Sequence, residues 1–206
     1  RSAETLAAAL GDTGASEILV CSTGLIGELL PAGAVLEGIT QAVGRAEATP
    51  EAGASSSLAI LTTDSHAKTA VTTLDTPEGT ITLGGMAKGA GMLAPGLATM
   101  LVVITTDAVM ECEGLNSALR AATRVSFDRL DSDGCMSTND QVTLMASGAS
   151  GIAPDAVEFQ RVLTQLCLAL SHQLLGDAEG SSHDIAIRVE GAESEDDAVA
   201  VGRAVA

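Results

Sequence analysis

The stretch Thr69–Gly84, TAVTTLDTPEGTITLG, alternates polar and apolar residues on both sides of Pro77-Glu78-Gly79. Period-two alternation interrupted by a Pro and Gly turn predicts a hairpin, with strands over Thr69–Asp75 and Thr80–Gly84. Outward from it, Leu58–Thr63 and Glu17–Ser22 (EILVCS) read as apolar strands, and Pro50–Ser57 (PEAGASSS) as a loop. On the other side, Thr99–Thr106 reads as a very hydrophobic strand, Gln141–Ala146 as another, and Asp184–Glu190 alternates as a further one. Helical periodicity marks Ala3–Leu10, Ala34–Ala48, Glu113–Leu130, Asp155–Leu175 and Glu195–Ala206. Strands and helices interleave, which predicts an α/β or α+β fold. Leu58–Asp64 (LAILTTD) echoes Leu101–Asp107 (LVVITTD). Two copies do not make a repeat architecture, so similar strand ends within one sheet are expected.

Composition bounds the function. The chain has 206 residues, 46% of them hydrophobic, with 27 acidic against 10 basic side chains and a net charge of −17. That is enough apolar material for a sizeable core, and it excludes a disordered chain. A charge of −17 repels phosphate, and only Phe127 and Phe159 are aromatic, so nucleic acid is excluded as a partner. The core is expected to be built from Ala, Val, Leu, Ile and Met. No apolar run is long enough for a membrane span or a signal-peptide core, so a cytoplasmic protein is expected. Cys21, Cys112, Cys135 and Cys167 form no CxxC pair and read as buried, reduced thiols rather than a zinc site. Both ends fall within helical patterns, as in part of a longer chain.

The most unusual stretch is Gly84–Leu101, GGMAKGAGMLAPGLATML. Its five glycines (Gly84, Gly85, Gly89, Gly91, Gly96) suit an irregular loop over Gly84–Pro95 in which backbone approaches backbone closely. It holds Lys88, one of only two lysines, the other being Lys68. A lysine among glycines suggests phosphate, but Gly89 follows Lys88 and the phosphate-loop pattern needs Ser or Thr there. The loop runs into Thr99. A hydroxyl at that point can attack the carbonyl before it, cut Ala98–Thr99 and free an α-amino group with a pKa of about 8. That amine can serve as base for its own hydroxyl, which a threonine nucleophile requires. Taken alone, a threonine at a strand start reflects ordinary β-propensity.

The other candidate groups read more simply. Asp131, Asp133 and Asp140 do not fit an EF-hand and form a polar turn within Asp131–Asp140. His66, His172 and His183 lack metal or triad spacing and read as surface or helix-capping residues. No metal site is expected.

GGMAKGAGMLAPGLATML resembles the self-cleavage segment of the ornithine acetyltransferase family, the bifunctional glutamate N-acetyltransferases. The resemblance continues through Val20–Pro31 (VCSTGLIGELLP), Leu61–Asp64 (LTTD), Asp128–Asp140 (DRLDSDGCMSTND) and Asp177–Gly180 (DAEG). It implies layered sheets between helices, as in ornithine acetyltransferases and DmpA-type aminopeptidases. It implies cleavage into residues 1–98 and 99–206, an alpha-chain and a beta-chain segment of one compact domain, paired as a heterodimer within a larger oligomer. Thr99 would be the nucleophile, passing acetyl from N-acetylornithine to glutamate in arginine biosynthesis. Thr23 and Gly24 would form the oxyanion hole, and Thr62, Lys88 and Glu179 would bind substrate. Read by themselves, Thr23-Gly24 is a strand-to-helix turn and Glu179 a solvated helix-end carboxylate. No cofactor is implied, although some family members accept acetyl-CoA as donor. Ser181, Ser182 and His183 depart from the family's usual residues after DAEG, and His66-Ala67-Lys68 departs from its usual residues after TTD. Family members also carry N- and C-terminal sections that have no match here. A hydrolase built on the same threonine, or an inactive fragment, remain alternatives.

Overall fold

The computed structural model describes residues 1–24, 27–93, 100–135 and 137–206. Two compact units follow one another along the chain, Arg1–Ser56 and Ser57–Ala206. The expected cut at Ala98–Thr99 lies in the sequence of the second and outside the described residues.

In the first unit, helix α1 (Ser2–Leu10) packs beside α2 (Ala32–Gly44). Among its described residues only Ala7 is buried. The EILVCS stretch was expected as a buried strand. It is instead a short 3-10 turn, Ala15–Glu17, followed by irregular chain, with Leu19 and Val20 exposed. A strand needs a neighbour for its backbone groups, and no described residue of this unit lies in one.

Helix α3 (Pro50–Ala59) replaces the loop expected at PEAGASSS and takes up the start of the strand expected at Leu58–Thr63. Its start has good helix chemistry. The Thr49 hydroxyl accepts from the Ala52 N–H at 3.1 Å, Pro50 opens the helix and Glu51 sits in its first turn. Small residues and serines read as loop, yet these three groups set the conformation.

The second unit is built on a four-stranded sheet in the order β1 (Lys68–Thr76), β2 (Gly79–Lys88), β3 (Leu101–Thr106), β4 (Gln141–Ala146). The β1–β2 hairpin runs from Lys68↔Ala87 to Thr76↔Gly79, as the alternation predicts. The second strand is longer than expected, reaching Lys88 through the first two glycines. β3 pairs antiparallel with β2, placing Lys88 opposite Leu101, and parallel with β4. Parallel pairing requires a crossover, which α4 (Cys112–Arg124) supplies.

One face of the sheet carries α5 (Ala156–Gly176), capped by the Asp155 carboxylate on the Val157 and Glu158 N–H groups. Phe159, Val162, Leu163, Leu166, Leu170 and Leu174 of this helix bury against Leu74, Ile81, Leu83, Val102 and Ile104. Each such side chain contributes about 1.5–3 kcal/mol. Gly85 lets helix and sheet meet: a Cβ there would lie 2.9 Å from Leu170 Cδ1. Both phenylalanines join this core, contrary to a core of aliphatic residues alone. Of the cysteines, only Cys167 is buried; Cys21, Cys112 and Cys135 are exposed and free. Burial pushes the Cys167 thiol up to about 12.

Glu113–Leu130 was expected as one helix. Its end departs as a 3-10 turn over Phe127–Arg129. Asp184–Glu190 alternates like a strand but pairs with none, and Ile185 and Ile187 are exposed. α6 (Glu195–Val205) follows, with Ser194 as its cap. The result is an α+β architecture, a mixed sheet layered against helices. No helix among the described residues is long and apolar enough to cross a membrane.

Candidate active site

Two lysines end up buried at one end of the sheet, Lys68 at the start of β1 and Lys88 at the end of β2. Residues opposite one another share a face, and Lys88 neighbours Ala87, the partner of Lys68. The two side chains therefore leave opposite faces of the sheet.

A buried ammonium must be matched by acceptors. Lys68 donates to Asp64 Oδ1 at 2.7 Å, to Asp177 Oδ2 at 2.6 Å and to the His66 carbonyl at 3.4 Å. Asp64 also accepts from the Gly89 N–H at 2.6 Å and the Thr62 N–H at 3.2 Å. Burial alone would raise the Asp64 pKa, but Gly89, Lys68 and Thr62 together hold it below the ordinary aspartate value. Asp177 accepts from the Ser65 N–H at 2.9 Å and from the Ser65 hydroxyl. Burial opposes ionisation there too, yet Lys68 and Ser65 bring its pKa down to about 2.

Lys88 is less completely matched. It donates to the Thr62 hydroxyl at 2.7 Å and lies 3.7 Å from Asp64 Oδ2. An ammonium has three protons to give. Among the described residues Lys88 therefore has donor capacity beyond these contacts.

The chain after Lys88 is tied on several sides. Gly89 has φ 152°, a region open to glycine, which turns its N–H onto Asp64. The Ala90 carbonyl accepts from the Glu179 N–H at 2.6 Å, and a Cβ on Gly91 would lie 3.2 Å from Glu179 Oε2. Met92 has a left-handed φ of 55°, with its N–H on Asp133 Oδ2 at 2.9 Å. Leu93 donates to the Ser132 hydroxyl at 3.0 Å, and its carbonyl accepts from the Ser132 N–H at 2.6 Å.

The structure thus gathers Thr62, Lys88 and Glu179 around residues 88–91. Thr23 and Gly24 belong to the Arg1–Ser56 unit and are described with it; Gly24 lies next to Leu30. Ala98 and Thr99 lie outside the described residues. A separate concavity of about 750 Å³ runs between Arg129–Gly134 and α6, and neither Thr62 nor Lys88 lines it.

The sequence does not mark Lys68 or Asp177 as partners, and it marks Asp64 only as the end of LTTD. Their signal was the spacing Asp64–Lys68, which places acid and base at the two ends of the short link into β1. The return of Asp177 at the end of α5 was not legible locally. Asp140 lies at the end of a stretch whose sequence predicts a polar turn. It accepts from the Met100 N–H at 2.9 Å, and its Oδ2 is buried with no hydrogen-bond partner among the described residues.

The ArgJ family model matches residues 1–206. The chain belongs to the ArgJ family. It is 59% identical over 205 residues to the arginine biosynthesis bifunctional protein ArgJ of Thermobifida fusca, covering 99% of this chain and 51% of that protein. To the ArgJ protein of Streptomyces coelicolor it is 56% identical over 204 residues, again 99% of this chain and 51% of the relative. To that of Mycobacterium leprae it is 49% identical over 208 residues, 99% and 50% respectively. The chain spans about half the length of the curated relatives it matches. The resemblance seen in GGMAKGAGMLAPGLATML therefore extends across the whole ArgJ match.

Proposed function

We propose that the protein containing these residues is a self-cleaving acyltransferase of arginine biosynthesis, moving acetyl from N-acetylornithine to glutamate. The observation that carries the reading is the pairing of ArgJ-family membership with Lys88, a buried cation with donor capacity to spare at the foot of the segment leading to Thr99.

In this reading Thr99 Oγ attacks the Ala98 carbonyl, and the resulting ester is hydrolysed to free the Thr99 amine. That amine then acts as base while Oγ takes acetyl from N-acetylornithine and ornithine leaves. Glutamate attacks the acetyl-threonine and departs as N-acetylglutamate. Thr23 and Gly24 stabilise the oxyanion in both half-reactions. Lys88, oriented by the Thr62 hydroxyl, takes the substrate α-carboxylate, a match of opposite charges strengthened by burial. Glu179 receives the amino end of ornithine. The acyl carrier is a side chain, so no resident cofactor is needed, and acetyl-CoA serves at most as an alternative donor. The pieces remain paired in a larger cytoplasmic oligomer.

Intact-mass spectrometry tests this on a chain of the relatives' full length. Two pieces meeting at Ala98–Thr99 are expected, with one acetyl group on the second piece after N-acetylornithine and its loss on adding glutamate. Thr99→Ala is expected to stay uncut. An uncut parent, or acetate released at the same rate without glutamate, would overturn the transferase reading, the latter in favour of a hydrolase.

A further inference from the structure

Lys88 and Glu179, the two groups assigned to the ends of the substrate, come from distant parts of the chain, and a closed ring of contacts joins them. The Asp64 carboxylate accepts from the Gly89 N–H at 2.6 Å and from the Lys68 ammonium at 2.7 Å. Lys68 donates onward to Asp177 Oδ2 at 2.6 Å. Asp177 stands two residues before Glu179, and the Glu179 N–H returns to the Ala90 carbonyl at 2.6 Å, one residue beyond Gly89. The ring thus runs from Gly89 through Asp64, Lys68, Asp177, Glu179 and Ala90 back to Gly89. Ser65 braces it from outside, with both its N–H and its hydroxyl on Asp177.

The ionic part of the ring is shielded. The side chains of Asp64 and Lys68 are fully buried, and that of Asp177 is 6% exposed. Such a triad adds little stability over well-packed apolar residues of the same volume, but away from water its bonds are strong and directional, so it fixes geometry. Glu179, by contrast, is exposed, and among the described residues it makes no ion pair with Lys88. A cation and an anion held on one stretch of chain without neutralising each other suit a ligand that carries a carboxylate at one end and an ammonium at the other.

Resting on the reading that Lys88 takes the carboxylate and Glu179 the far amine, we infer that Asp64, Lys68 and Asp177 are positioning residues that set the spacing between those two groups and so select the side-chain length of the acetyl donor. Lys88 ends β2, and Glu179 follows the end of α5. The Ala90–Glu179 bond alone is a single hinge between a strand end and a helix end. The Asp64–Lys68–Asp177 bridge adds a second attachment two residues away, which removes the hinge. A donor whose two charges match the fixed spacing meets both groups at full strength. A donor one methylene longer meets only one of them so.

The test measures acetyl transfer to glutamate from three donors, in a chain of the relatives' full length. They are N-acetylornithine, N-acetyllysine with one more methylene, and N-acetylnorvaline, which keeps the carboxylate but lacks the amine. In the parent, kcat/KM for N-acetylornithine is expected to exceed that for either other donor by about 10-fold or more, the worth of one charge-assisted contact. In Asp177→Ala both ratios are expected to fall by about fivefold or more, through a higher KM for N-acetylornithine. Lost folding would scale all three donors together and leave the ratios where they were. Parent ratios in Asp177→Ala would overturn the inference while leaving the transferase intact. Should that variant fail to fold, Ser65→Ala decides, since it removes from an exposed residue only the hydroxyl that braces Asp177. Ratios lowered by about twofold or more there support the inference, and unchanged ratios overturn it. A parent that uses all three donors alike overturns the assignment of Glu179 and this inference with it. A parent that transfers acetyl from none overturns the reading beneath both.

Discussion

Lys68 and Lys88 are the only two lysines of the chain, and both are buried at the same end of one sheet. Their surroundings differ. Lys68 sits between two carboxylates at 2.7 and 2.6 Å, with a carbonyl as third acceptor. Among the described residues Lys88 donates to the Thr62 hydroxyl at 2.7 Å and shares Asp64 at 3.7 Å. The first ammonium is saturated by the fold and ties β1 to the end of α5. The second, among the described residues, has donor capacity beyond its contacts. A buried charge whose partners are complete serves the architecture, whereas one with donors to spare among the described residues is the better candidate for holding substrate in the proposed reaction.

The same substitution at the two positions separates these roles. Lys68→Met leaves Asp64 and Asp177 buried without their shared cation, at a cost of about 3–5 kcal/mol. A urea titration of the full-length protein is expected to show that loss as a lower midpoint with an unchanged slope. A midpoint equal to the parent's would break the comparison. Lys88→Met leaves Asp64 still held by Gly89, Thr62 and Lys68. Stability is expected to hold within about 1 kcal/mol, since an apolar side chain of similar volume replaces a buried charge well. Transfer of acetyl to glutamate is expected to fall about 100-fold in kcat/KM, the worth of a lost charge-assisted contact to a carboxylate. Unchanged kcat/KM would show that Lys88 is as structural as Lys68.

The hairpin was legible because its alternation and its turn agree, and local signals that agree leave little room for alternatives. LAILTTD and LVVITTD show where such reading stops. The two strings are nearly the same, yet Leu101–Thr106 is a central strand and Leu58–Ala59 ends a helix. Only the neighbourhood differs: β3 finds β2 and β4 beside it, while Leu58 follows a start set by Thr49, Pro50 and Glu51. Tertiary pairing overrides the β-propensity of a short apolar run. For the same reason EILVCS and Asp184–Glu190 show strand patterns without becoming strands. In the candidate site, Lys88 stood out against its glycines, and Thr62 and Glu179 came through family resemblance. Asp177 and Asp140 act across 109 and 40 residues of chain, on Lys68 and Met100. No local pattern carries that information.

The smallest expected effect sharpens the contrast from the side of Lys68. Asp177 ionises near pH 2 in the fold, below its unfolded value near 4, because the Lys68 ammonium and Ser65 favour the anion. A depressed pKa contributes stability that is fully present above the unfolded value. It is lost as pH falls through about 4 toward 2, where the folded carboxylate also takes a proton. With allowance for solvent at the partly open Ser65 side, the contribution is roughly 1–2 kcal/mol. Asp64, also held below its ordinary value, adds to the same acid window. The urea midpoint of the parent is expected to decline between pH 4 and pH 2. Asp177→Asn keeps the shape and removes the titration, so it should start lower at neutral pH and decline less on acidification. Parallel curves for parent and variant would mean that Asp177 does not complete the shell of Lys68, and that the two lysines are more alike than their contacts indicate.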